Sequence, residues 1–171
     1  AGGIAQSLIS MLKPFNCHIT VVRNREGDVP GADVVLTTSR LHEALLRADA
    51  VLMAIALTPL THGIMGKAEF ELMQSHAWIV NVGRGKQIVT DDLVWALETG
   101  QIGGAALDVT DPEPLPTGHP LWSLPNCIIT PHVGNTAEMV PPLLALRIAE
   151  NVRRFAAGEQ LIGIVDRTVG Y

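Results

Sequence analysis

"AWIVNVGRGKQIVTDDLVWALETGQIGGAALDV", residues 77–109, reads as a strand, a helix and a second strand. The runs 77–82 and 104–109 are apolar at consecutive positions rather than alternate ones, which implies burial on both faces. Between them Thr90 stands as a helix cap, Asp91 and Asp92 suit the positive end of a helix, and Gly100 stops it. That order makes two parallel strands joined by a right-handed crossover.

The same rhythm extends in both directions. "HITVVR" (18–23), "ADVVLTT" (32–38), "AVLMAIAL" (50–57) and "CIIT" (127–130) are further strands, and "SRLHEALLRA" (39–48) is a helix with Ser39 as its cap. Strands alternating with helices predict an α/β chain built on a doubly wound parallel sheet. Two stretches break the pattern. Residues 111–126, "DPEPLPTGHPLWSLPN", hold five prolines and read as an ordered, largely non-helical excursion. Residues 143–158, "LLALRIAENVRRFAAG", read as a long helix entered through Pro141 and Pro142 and stopped by Gly158. We therefore divide the chain into a nucleotide-binding unit, 1–140, and a C-terminal helix and tail, 141–171.

Composition narrows the function. The 171 residues are 47% hydrophobic and carry a formal charge of -5, which suits a buried core and argues against a nucleic-acid footprint. The apolar runs are too short to span a bilayer, so no membrane partner is expected. Cys17 and Cys127 each adjoin an apolar run and read as buried thiols of a reducing compartment. The six histidines show no metal-ligand spacing, and no metal is expected.

The chain opens with "AGGIA" (1–5), two glycines at the mouth of a helix. A dinucleotide turn needs G-x-G-x-x-G/A, and Gly2 and Ala5 match its second and third positions. About 20 residues on, such folds carry an acidic residue against the adenosine ribose. Here that position is Arg23, in "HITVVRNR", with Arg25 close behind. An arginine pairs with a 2′-phosphate, so NADP(H) is preferred and NAD(H) is a second choice. At the far ends of later strands stand Arg84 between two glycines, then Asp108, Asp111 and Glu113, then His132 after Pro131. A guanidinium for a small carboxylate and a histidine with a carboxylate for acid/base work would share one sheet edge.

These pieces, in order, carry a resemblance. "AGGIA", "LTPLTHGIMG", "NVGRG", "GAALDVTDPEPLP", "HPLWSLPNCIITPHVG" and "RIAENVRRFAAGE" resemble the Rossmann-like nucleotide-binding portion of the D-isomer-specific 2-hydroxyacid dehydrogenases of glyoxylate/hydroxypyruvate reductase type. The resemblance implies Arg84 as the substrate-carboxylate residue, His132 as proton donor and Glu113 as its partner. It implies a cofactor held by Gly2, Gly3, Ile4, Arg23, Asn24, Arg25, Ile55, Ala56, Thr61, Val82, Gly83, Asp108 and Gly134. Glutamate at 113 argues against the related formate dehydrogenases, which pair glutamine with histidine. Ala56 stands where many relatives have proline, and Arg23 where most have aspartate. The partners implied are a small 2-keto or 2-hydroxy acid and a second copy of the protein, in the cytoplasm. A non-catalytic dinucleotide-sensing regulator on the same fold is the alternative.

The family's sheet order is 3-2-1-4-5-6, and its first strand precedes the glycine turn. The expected sheet therefore lacks its first, central strand, supplied by an upstream segment of the same polypeptide. Without it, unmade hydrogen bonds at about 1–3 kcal/mol each would outweigh a domain's usual 5–15 kcal/mol.

Overall fold

The computed structural model describes residues 2–136, 138–166 and 168. The position before the glycine turn, and residues 167 and 169–171 of the tail, lie outside them.

All six expected strands form, each three or four residues long: β1 (Thr20–Arg23), β2 (Val34–Thr37), β3 (Ala50–Met53), β4 (Trp78–Asn81), β5 (Gly104–Leu107) and β6 (Cys127–Ile129). Before, between and after them run α1 (Gly3–Leu12), α2 (Leu41–Leu45), α3 (Lys67–Leu72), α4 (Thr90–Glu98) and α5 (Val140–Ala156). Every pairing is parallel, so the fold is Rossmann-like. The sheet is in two parts: β1 pairs with β2, and β3-β4-β5-β6 follow in order. Among the described residues no pairing joins β1 to β3. Within each part the order agrees with that of the expected sheet.

Burial is uneven, contrary to the expectation of strands covered on both faces. β5 is buried at three of its four residues and β4 at Ile79 and Asn81, with none of either strand exposed, whereas Leu52 of β3, Val34 of β2 and Ile128 of β6 are exposed. A strand is covered on both faces only where helices or strands flank it on each side, and only the middle of the larger sheet has that cover. One core cluster, including Phe70, Ile79, Leu93, Ile102 and Leu107, fills that region. Leu45 of α2 reaches into the same cluster, and α2 also touches β1 and β2, so this short helix bridges the two sheets.

Two expected helix caps are not made. Ser39 lies within a 3-10 turn (Thr38–Arg40), its hydroxyl on Thr37, so α2 begins only at Leu41. Thr90 starts α4 but its hydroxyl donates to the Asp111 carbonyl at 2.7 Å, joining the helix to the loop after β5. Asp92 instead accepts the Lys67 N–H of α3 at 3.0 Å. The Ser39 hydroxyl is taken by its neighbour Thr37 and the Thr90 hydroxyl by a loop 21 residues away, so neither caps its own helix. Gly100 and Gly158 do follow their helices with φ of +68° and +69°, the left-handed region that glycine adopts freely. Pro141 and Pro142 sit in the first turn of α5, where a missing N–H costs no helix bond.

Cys17 is exposed rather than buried, because the turn after α1 has nothing packed over it. Cys127 is half-buried, and burial pushes its thiol up to about 11.

Candidate functional site

Parallel strands deliver their following loops to one edge, the edge where open α/β sheets take ligands. Four of those loops are stitched together here. The loop after β4 carries Arg84, whose backbone is gripped by two fully buried amides. Asn81 Nδ2 donates to the Arg84 carbonyl at 3.1 Å, and Asn81 Oδ1 accepts the Gly83 N–H at 2.9 Å. Gln87 Oε1 accepts the Arg84 N–H at 2.9 Å, while its Nε2 donates to the Ile55 carbonyl after β3, also at 2.9 Å. The Arg84 guanidinium is exposed, and one arm donates to the Gly83 carbonyl at 2.7 Å.

Gly85 seats this loop on the next one. A Cβ there would overlap the Thr110 carbonyl, so the two backbones touch where only glycine fits. Three residues further lies Glu113, whose Oε1 is 2.5 Å from Nδ1 of His132. Both side chains are partly exposed, at 38% and 46%. His132 has a φ of +54°, uncommon for a residue with a side chain.

Asp108 holds the histidine's loop. Its Oδ1 accepts from the Thr130 hydroxyl at 2.6 Å and the Val133 N–H at 2.9 Å; Oδ2 accepts the Gly134 N–H at 2.8 Å. Burial alone would raise this carboxyl, yet the Thr130, Gly134 and Val133 donors and nearby His132 together hold it below its ordinary value. A charged acceptor with several donors is stabilised in its ionised form.

On the other side of the gap, Gly2 caps α1 in extended conformation, and no side chain caps the helix. Added Cβ atoms at Gly2 or Gly3 would meet nothing within 4 Å, so the backbone there is open to a ligand. Ile4 is exposed on the first turn. Arg23 ends β1, with exposed Asn24 and Arg25 after it. Asn24 Oδ1 accepts the Thr38 hydroxyl at 2.6 Å, tying this loop to the one after β2. A cavity of about 300 Å³ beside Thr38 is lined also by Leu41, His42, Leu60 and Glu69, and includes none of Arg84, Glu113 or His132.

The remaining candidates sit between these two groups. Ile55 is half-buried and Ala56 exposed, in the loop after β3. The Thr61 hydroxyl is buried, donating to the Ala56 carbonyl at 2.7 Å and accepting the Thr58 N–H at 2.8 Å, so it shapes this loop from within. Val82 presents its side chain outward while its N–H bonds the Met53 carbonyl. The structure thus gathers Arg84, Glu113, His132, Asp108 and Gly134 onto three bonded loops, and sets Gly2, Gly3, Ile4 and the Arg23–Arg25 turn on the other part of the sheet. Asn81, Gln87 and Thr130 were absent from the sequence reading. Only polar residues inside apolar runs, as in "KQIV", signalled them.

Residues 1–134 match the D-isomer specific 2-hydroxyacid dehydrogenase, NAD binding domain. The chain belongs to this family. Among curated members, human glyoxylate reductase/hydroxypyruvate reductase is 35% identical over 94% of this chain and 49% of its own length. Among solved members, a D-isomer specific 2-hydroxyacid dehydrogenase from Xanthobacter autotrophicus Py2, in complex with NADPH and MES, superposes with a TM-score of 0.93. It is 31% identical, over 99% of this chain and 69% of that one. An NADPH-dependent glyoxylate/hydroxypyruvate reductase from Sinorhizobium meliloti, in complex with NADP and sulfate, gives 0.91 at 28% identity, over 99% of this chain and 54% of that one. This family member spans about half the length of the curated relatives it matches. Among the described residues no helix is long and apolar enough to cross a membrane.

Proposed function

We propose that the polypeptide containing this chain reduces a small 2-keto acid to a D-2-hydroxy acid with NADP(H), and less readily with NAD(H). The observation that carries this reading is the 2.5 Å contact between His132 and Glu113 on the ligand edge of the sheet. A carboxylate only accepts, so the shared proton sits on Nδ1 and leaves Nε2 for a ligand. In reduction, Nε2 of the imidazolium donates a proton to the carbonyl oxygen; in oxidation the neutral nitrogen takes it back. Glu113 fixes the ring's tautomer and orientation. The Arg84 fork suits the substrate carboxylate, and its charge draws electron density onto the carbonyl oxygen as that oxygen becomes alkoxide-like.

The residues present fit a dinucleotide. An uncapped ten-residue helix, α1, opens at two glycines with free space around them, the usual seat for a pyrophosphate. Gly2, Gly3 and Ile4 would hold it there, and Arg23 and Arg25, with Asn24, would hold a 2′-phosphate. Ile55, Ala56, Thr61, Val82 and Gly83 would line its path toward Asp108 and Gly134. When bound, the nicotinamide supplies the hydride. Solved relatives that hold NADPH or NADP support the choice of cofactor.

Three further statements belong to this reading. An upstream segment of the same polypeptide supplies the strand between β1 and β3 and the opposite wall of the cleft, supported by the two-part sheet. Residues 141–171 return toward that segment, and the protein pairs as a homodimer; the apolar residues exposed along α5 support both. The protein works in the cytoplasm, a reading supported by its two unpaired cysteines.

The test is NADPH oxidation by the whole polypeptide with glyoxylate or hydroxypyruvate. We expect saturable turnover, and His132→Asn should lower kcat by about 10²–10⁴-fold. A well-folded protein that turns over neither acid would defeat the proposal.

A further inference from the structure

We propose that Gln87 is a positioning residue that sets Arg84 and the exit of β3 in one register, and that position 83 is glycine to admit it. The inference rests on the reading that Arg84 anchors the substrate carboxylate.

Gln87 has no exposed surface, and its carboxamide touches two loops rather than one. Oε1 accepts the N–H of Arg84 itself, and Nε2 donates to the Ile55 carbonyl in the loop after β3. Both functions of a single amide are therefore engaged, one on the arginine and one on the neighbouring loop. An apolar side chain of the same size would take away the partner of a donor, the Arg84 N–H, and of an acceptor, the Ile55 carbonyl. Asn81 grips the other side of the same turn, through the Arg84 carbonyl. Between the two amides the Arg84 backbone has its N–H and its carbonyl both bonded to buried side chains.

The space for this arrangement comes from Gly83. A Cβ on that residue would run into Gln87 Oε1, and would also lie 3.2 Å from the Ile55 carbonyl and 3.3 Å from Asn81 Oδ1. Gly83 has no positive φ to explain it. What requires glycine here is the carboxamide above it. The two positions form a coupled pair: any side chain at 83 displaces the group that fixes Arg84.

A buried amide that only braced the fold would affect stability alone. A positioning role predicts a kinetic signature, read as a KM-against-kcat split in the whole polypeptide. Gln87→Met should raise KM for the 2-keto acid by about tenfold or more, with a smaller change in KM for NADPH, because the unpaired Arg84 N–H lets the turn shift. Gly83→Ala should likewise raise KM for the keto acid, by expelling Oε1. Gly83→Ala combined with Gln87→Val should raise KM no further than Gly83→Ala alone, since the carboxamide that the Cβ displaces is already gone. Should Gln87→Met fold poorly, Gln87→Glu provides a second reading. Its neutral carboxyl can donate to Ile55 as the amide does, so its KM relative to the unmodified protein should fall as pH is lowered. Burial favours that neutral form.

If Gln87→Met lowers the melting temperature but leaves KM for the keto acid within about twofold, a difference worth roughly 0.4 kcal/mol, the positioning role is overturned. A Gln87→Glu variant whose KM ratio is flat with pH also overturns it. Absence of turnover in the unmodified protein instead removes the function proposed above, and this assignment with it.

Discussion

The loops after β3, β4, β5 and β6 are cross-braced through buried amides and a carboxylate, whereas the loops after β1 and β2 are joined at their exposed ends, where the Thr38 hydroxyl donates to Asn24. The first group rests on a sheet whose middle strands are buried and whose core includes Phe70, with no exposed surface. The second rests on a two-stranded sheet with Leu36 as the buried residue of its strands, beside a helix whose one buried residue is Ile9. The difference teaches where each kind of task can be carried out. On the function proposed above, acid/base chemistry needs atoms held to a fraction of an ångström, and the residues assigned to it stand on the more deeply buried part. Charge recognition of a phosphate tolerates a looser frame, because the attraction between ions falls off slowly with distance.

Mutations should expose that asymmetry most sharply in the core. Phe70→Ala should cost about 3–5 kcal/mol by emptying a fully buried site. Phe15→Ala, at a 76% exposed position beside α1, should shift stability by no more than about 0.5 kcal/mol. Chemical denaturation of the two variants makes the comparison, and equal losses would refute the division into a firm and a loose part.

Next in size is the Asp108 latch. Asp108→Asn keeps the shape but weakens three hydrogen bonds to a charged acceptor, each worth about 1.5–3 kcal/mol. The loop carrying His132 should then become protease-sensitive while α4 stays protected. Acid should mimic the substitution. The folded carboxyl titrates below its ordinary 3.8, so it contributes stability above that value, and the contribution is lost as pH falls through the lowered one. A His132-loop amide protection factor that does not fall on acidification below 3.8 would contradict this.

Arg23→Asp tests the looser side. It should reverse the preference between NADPH and NADH by roughly ten- to a hundredfold with little change in melting temperature, since Arg23 is a half-buried strand end outside the core cluster. Equal binding of both cofactors before and after the change would show that the turn does not select between them. The smallest effect is chemical. Iodoacetamide near pH 8 should modify exposed Cys17 well before Cys127, whose thiol is pushed up to about 11 by burial. Equal labelling rates would show that β6 is open at its cysteine.

Much of this arrangement was legible in the linear chain. Apolar runs with consecutive Val, Ile and Ala are strands because β-branched and small side chains pack on a pleated surface. Their alternation with helices leaves a parallel sheet as the compact outcome. The glycine at 100 and the prolines at 141 and 142 act through local backbone geometry, so their effects were readable from neighbours alone. Thr90 does not cap its helix because a hydroxyl donates to whichever carbonyl the fold brings, here one 21 residues away. Gln87 escapes a local reading for the same reason, its Ile55 partner lying 32 residues away.

What the amino-acid order determined by itself is therefore the element types, their parallel succession and the identity of the ionisable side chains at the strand ends. Those follow from periodicity and steric limits within a few residues. Tertiary structure decided which of these groups meet: Glu113 with His132, Asp108 with the turn after β6, and Gln87 with both Arg84 and Ile55. Contacts of that kind depend on how loops from different strands are packed against one another, and no local preference encodes a distance between residues so far apart along the chain.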